Sequence, residues 1–168
     1  KMALAACYAG LAFTRANVGN VHAIAHQLGG RYHTPHGLAN AIMLPGVLRF
    51  YGQASRARLA TLARRAGAAV DGEPEDLAAR RFLDSVVAMN EELGIPRHLD
   101  SLRAKDIPAL ARAACWEADT NYPVPRRMAQ ADCEALLREV LPPATARKRP
   151  ARTPAPRAAA AKKTPRRR

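Results

Sequence analysis

The stretch that most restricts how this chain can fold is Val21 to Gly37, VHAIAHQLGGRYHTPHG, which holds four of its five histidines. On a helix, His22 and His26 stack on one face about 5 to 6 Å apart, close enough to meet one small ligand or ion. Gly29 and Gly30 are expected to stop that helix. Tyr32 to Pro35 then turn the chain, and Pro35 fixes the backbone so that His36 opens the next helical run, HGLANAIMLPGVLRF. Two imidazoles from one helix and a third from the start of the next can therefore converge. Neutral imidazole is the commonest protein ligand for divalent transition metals, and a helical H-x-x-x-H pair is a recurrent way to supply two. The same spacing also suits partly buried, hydrogen-bonded histidines, and on these residues alone both readings stand. His33 reads as a surface loop histidine.

The rest of the body reads as helix, which makes the fold class all-α. Met2 to Phe13 is alanine-rich and apolar on most faces, which predicts a buried helix. Asn17 or Thr14 is expected to cap the histidine helix, and Pro45 to kink the one after it. Ser55 should cap ASRARLATLARRAG. Pro74 and Gly94 bracket EDLAARRFLDSVVAMNEEL, with Leu77, Phe82, Val86, Met89 and Leu93 as its expected core stripe. Ile95 to Leu99 reads as a linker whose His98 is structural or solvated. Asp106 should cap a helix from Ala109 to Ala118 that carries Trp116. Asp119 to Pro125 reads as a loop, and Gln130 to Leu141 as the last helix. The sequence offers no strand and no internal repeat. Glu91 and Glu92 are adjacent, hence on different faces, and make no acid–base pair.

Charge divides the chain. All fourteen acidic residues precede Pro142, with seventeen of the 27 Lys and Arg, so 1–141 carries +3 and 142–168 the remaining +10. The last segment has six prolines among alanine, threonine and basic residues, a composition that cannot form a core and predicts a disordered tail. Such a tail can hold phosphate backbones non-specifically, and the absence of interleaved aromatics excludes base stacking. Cys7, Cys115 and Cys133 are scattered and odd in number, which suits reduced thiols in a cytoplasmic protein. No apolar run reaches the ~18 residues of a membrane span.

The run AGLAFTRANVGNVHAIAHQLGGRYHTPHGLANAIMLPGVLRFY resembles the signature region of the iron-containing (group III) alcohol dehydrogenases, G-x-x-H-x-x-A-H-x-x-G followed by a short loop and P-H-G. Gly19, His22, Ala25, His26, Gly29, Pro35, His36 and Gly37 keep every spacing, and the similarity extends to about Leu141, including a G-I-P turn at Gly94 to Pro96. The resemblance implies a dehydroquinate synthase-like helical domain. It implies His22 and His36 as two metal ligands, for iron(II) or zinc, and His26 as a catalytic histidine lining the pocket beside metal and nicotinamide. The implied substrate is a small alcohol or aldehyde, oxidised or reduced with NAD or NADP.

The departures are as informative. Residues 1 to 21 hold no upstream Asp and His four apart, and the chain has no G-G-G-S or G-x-G-x-x-G turn for a cofactor pyrophosphate. Gly46 stands where relatives often have His. The resemblance thus implies that 1–141 is the C-terminal helical domain, which requires an N-terminal domain or partner chain and forms a homo-oligomer when complete. The chain is expected to begin inside an element, to expose an apolar face, and to show no turnover alone. A maleylacetate reductase or hydroxyacid transhydrogenase relative is the second enzymatic reading, although His26-Gln-Leu-Gly and the T-P-H-G-L-A-N run favour the alcohol dehydrogenase branch. The non-enzymatic alternative is a degenerate helical domain with a nucleic-acid-binding tail.

Overall fold

A computed structural model describes residues 1–143 and shows seven α-helices: α1 Met2–Phe13, α2 Asn20–Tyr32, α3 His36–Tyr51, α4 Arg56–Arg65, α5 Glu75–Glu92, α6 Ile107–Asn121 and α7 Gln130–Glu139. No strand occurs among the described residues. The expected disordered tail and its nucleic-acid contact fall largely on 144–168, outside the described residues.

The histidine helix α2 is the hub of the main core, packing against both α3 and α6, while α7 closes on α6 and α3. Its Ala23, Ile24, Ala25 and Leu28 are buried together with Ala39, Met43 and Val47 of α3, Ala111 and Ala114 of α6, and Leu136 and Leu137 of α7. Alanines at these crossings let the helices approach closely, and Ile24, Leu28 and Leu137 fill the space between them. Gly46 is buried where α3 meets α7. A Cβ there would lie 3.3 Å from Leu136 Cδ2 and 3.4 Å from Glu139 Oε2, so a histidine at this position would have to displace Leu136.

Helix α2 does not stop at its glycines. It runs through Gly29 and Gly30 to Tyr32 and ends at His33, whose φ of 54° is left-handed and whose N–H bonds to the Gly29 carbonyl. Two interior glycines cost about 1 kcal/mol each relative to alanine. The last turn is held by tertiary bonds instead: the Tyr32 hydroxyl donates to Asp106 Oδ2 at 2.7 Å and Arg31 reaches Asp106 Oδ1 at 3.2 Å. The same contacts explain why Asp106, expected to cap α6, makes no side-chain cap bond. Its carboxyl is held below the usual carboxylate range, first by the Tyr32 hydroxyl and then by Arg31.

Other expectations are corrected. Gly19, not Asn17 or Thr14, is the N-cap of α2. Asn17 instead sits at a φ of 62° and bridges Val18 N–H to the Asn121 carbonyl. Ser55 precedes α4 without a side-chain cap bond. Helix α6 extends to Asn121, three residues into the expected loop.

The predicted stripe on α5 holds only in its middle. Phe82 and Val86 are partly buried, as are Leu83 and Val87, but Leu77, Met89 and Leu93 are exposed and the fully buried positions are Ala78 and Ala79. Against α4, α5 builds a separate small core of Ala60, Ala63, Ala69 and Ala78, with Phe82 packed on it. Close packing of alanines, rather than the larger side chains beside them, fixes the rotation of this helix.

Helix α1, expected to be buried, buries none of its residues, and Met2, Leu4, Tyr8 and Leu11 are more than half exposed. It is apolar all round, but the described residues provide no surface for it.

Candidate functional site

His22 and His26 stand one turn apart on α2 and His36 is the first residue of α3, so the reversal at His33 to Pro35 decides whether the three rings meet. They do. Ring centroids lie 5.9 Å apart for His22 and His26, 5.2 Å for His22 and His36, and 5.3 Å for His26 and His36. Rings 26 and 36 lie 20° from parallel, while His22 meets His26 edge-on at 73° and is tilted 54° from His36. Neither His33, exposed at the end of α2, nor His98, exposed and lining another cleft with Ile42, Gly46 and Leu136, joins this group.

Electrostatics favour the neutral ring at His22. Burial, then the neighbouring His36 and His26, lower its pKa, with Glu117 acting in the opposite direction. Neutral imidazole is the form that binds a metal. Beside His36, Asn40 donates through Nδ2 to the His36 carbonyl at 2.9 Å and lies 3.1 Å from Nε2, while its buried Oδ1 has no partner. Two imidazoles and an orphaned amide oxygen are donors that suit a borderline divalent cation. They are not a complete shell: among the described residues no three His, Cys, Asp or Glu side chains are placed to hold a metal ion. The group fits part of a metal centre.

His26 is engaged differently. Its Nδ1 lies 2.6 Å from Glu117 Oε1, which also accepts the Tyr122 hydroxyl at 2.6 Å, while Glu117 Oε2 accepts Gln27 Nε2 at 2.7 Å. Glu117 and Tyr122 are functional candidates that sequence reasoning missed. Glu117 lies 91 residues from His26, and nothing in WEADTNY marks it. A cleft of about 430 Å³ runs between α2 and α6 beside this cluster, lined by Gln27, Gly30, Arg31 and Asp106 among others, and none of the three histidines lines it.

The Tyr122 hydroxyl is pushed up to about 12, first by burial and then by its bond to Glu117 and that carboxylate's charge. Its ordinary value is about 10. A raised folded-state pKa means that stability is intact below pH ~10 and falls as pH rises toward about 12. Denaturation midpoints measured from pH 9 upward should drop across that window, and Tyr122→Phe should flatten part of the drop. A variant whose alkaline profile matches wild type would show that Tyr122 carries none of it.

The model of the Fe-containing alcohol dehydrogenase family, C-terminal, matches residues 1–141. The chain belongs to the iron-containing alcohol dehydrogenase family. Among its relatives, the lactaldehyde reductase of Escherichia coli is 42% identical over 123 residues, covering 72% of this chain and 32% of that protein. The 1,3-propanediol dehydrogenase of Klebsiella pneumoniae is 37% identical over 140 residues, 82% of this chain and 36% of its own length. A crystal structure of 1,3-propanediol oxidoreductase superposes with a TM-score of 0.72 at 36% identity, covering 79% of this chain and 35% of the other. The chain thus spans about a third of the length of these iron-containing alcohol dehydrogenase relatives, and it matches their C-terminal helical part. No described helix is long and apolar enough to cross a membrane.

Proposed function

We propose that this chain is the metal-bearing helical part of an iron-dependent, NAD(P)-linked oxidoreductase acting on a small alcohol or aldehyde. The observation that carries the reading is the convergence of His22, His26 and His36 within 6 Å of one another, at the positions of the family's motif. His22 and His36 hold the divalent cation, iron(II) or zinc, and His26 contacts the reacting pair. When bound, the cation supplies Lewis-acid polarisation of the substrate oxygen and the nicotinamide exchanges a hydride with the substrate carbon. The chain's own share is orientation. The α2 to α3 reversal fixes His22 against His36, burial lowers the His22 pKa, and Asn40 braces the first turn of α3 through the His36 carbonyl.

On this reading 1–141 is one domain and 142–168 an appended basic segment. The aligned segment covers only about a third of each relative, and here the described residues carry two metal ligands and no nucleotide-binding turn. The rest of the metal shell and the cofactor site come from a further domain or partner chain, and the complete assembly is a homo-oligomer in the cytoplasm.

The 168-residue chain supplied with iron(II), NADH and an aldehyde is therefore expected to show no turnover above the protein-free rate. NADH oxidation that depends on His22 would overturn this division of labour. The alternative of a helical domain that acts through its basic segment would be favoured by salt-dependent DNA retention that is lost on deleting 142–168 and is indifferent to His22→Ala.

A further inference from the structure

Three acceptor bonds converge on a single carboxylate at the edge of the histidine cluster, and that convergence serves no evident packing need. Glu117 sits on α6, and its side chain is 18% exposed. It is held by Gln27 at 2.7 Å and Tyr122 at 2.6 Å, so both oxygens are fixed before His26 is considered. The third bond, to His26 Nδ1, is therefore made by a carboxylate with little freedom to turn away. A helix-to-helix brace could have been built from the main core, which already locks α2 onto α6 through Ala25, Leu28, Ala111 and Ala114. What the polar group adds is control of one imidazole.

We infer that Glu117, itself fixed by Tyr122 and Gln27, is the positioning residue that holds His26 in the Nδ1–H tautomer and leaves Nε2 as a hydrogen-bond acceptor. The inference rests on the proposed role of His26 beside the reacting pair and deepens it. A carboxylate with both oxygens occupied by donors can take Nδ1 only as a further N–H donor, and a neutral ring that donates from Nδ1 has its lone pair on Nε2. Such a nitrogen accepts a hydrogen from an alcohol hydroxyl or an amide N–H, and cannot donate one to a carbonyl oxygen. Carboxylates that fix a functional imidazole in this way are a recurrent outer-shell device. Here the carboxylate comes from another helix, so the tautomer is set only when α2 and α6 are docked.

The test is a two-bond ¹H–¹⁵N correlation spectrum of the ¹⁵N-labelled 168-residue chain without metal, at a pH where the histidines are neutral, with the His26 signals assigned by His26→Gln. Histidine free in water favours Nε2–H. The wild-type chain is expected to show the reverse for His26, with a protonated Nδ1 and an unprotonated Nε2. Glu117→Ala should invert that ratio, while Glu117→Gln, whose amide oxygen remains an acceptor, should largely preserve it. An Nε2–H pattern in the wild type would overturn the inference, as would an unchanged pattern in a folded Glu117→Ala variant. Should Glu117→Ala fail to fold, the wild-type and Glu117→Gln spectra still decide. Because the tautomer is read without metal, cofactor or substrate, it can fail while the metal role of His22 and His36 survives, and the reverse.

Discussion

Replacing either His22 or His36 by alanine is expected to weaken binding of a divalent transition metal to this chain about 10- to 100-fold, while His26→Ala leaves it close to unchanged. The geometry gives the reason. The three rings are nearly equidistant, so proximity alone does not rank them, but their hydrogen bonds do. Nδ1 of His26 is committed to Glu117, whereas among the described residues no side chain hydrogen-bonds the His22 ring and the His36 ring meets the Asn40 amide alone. Removing an outer-shell partner of a metal site already costs 10- to 100-fold, so the loss of one of two ligands should be no smaller. Cobalt(II), followed by its visible absorption, or zinc(II), followed by calorimetry, would report the change. Equal losses at all three positions would make His26 a third ligand and redraw the site.

The largest effect on the fold is expected at Leu28. Its side chain is fully buried on α2, on the stretch between the two histidines and the Tyr32 anchor, in the core shared by α3 and α6. Leu28→Ala should cost about 2 to 5 kcal/mol through lost burial and the cavity left behind. Against the typical 5–15 kcal/mol of a whole domain, that is a large fraction. For a domain of this size it lowers the thermal midpoint by roughly 4 to 20 °C. Met89→Ala provides the contrast. Met89 belongs to the apolar stripe that the sequence assigns to the core, yet it is 55% exposed, and its truncation should fall within about 0.5 kcal/mol. Comparable losses for the two variants would restore the α5 rotation read from the sequence.

The histidine cluster was legible because its information is local. Two helical positions four apart and a proline-led restart at His36, ten residues after the second, leave few ways for the rings to avoid one another. The all-helical fold followed from the same punctuation. Glu117 was illegible because its role depends on how α6 docks on α2, and no spacing within α6 encodes that. The end of α2 was misplaced because a tertiary bond from Tyr32 to Asp106 outweighs the local preference of Gly29 and Gly30 to end a helix. The α5 stripe was misread at Leu77, Met89 and Leu93 because larger side chains look more core-like than alanines, while close helix packing selects the alanines, with Phe82 packed on them. Helix α1 shows the limit of composition: an apolar helix announces that it needs a cover, not where that cover comes from.

The alanine core between α4 and α5 has a consequence for how the molecule opens. Ala60, Ala63, Ala69 and Ala78 hold that hairpin together with little buried volume, and its link to the rest runs mainly through the contact of α5 with α3. Small apolar burial makes for low local stability, so the hairpin forms a separate cooperative unit that unfolds before the main core. In native-state hydrogen exchange, amides of 56–92 should lose protection together and ahead of those in α2 and α6. The histidine cluster, seated wholly on α2 and the start of α3, would keep its shape through such an excursion. Sequence change in 56–92 can then accumulate, or new surfaces evolve there, without passing through the chemistry.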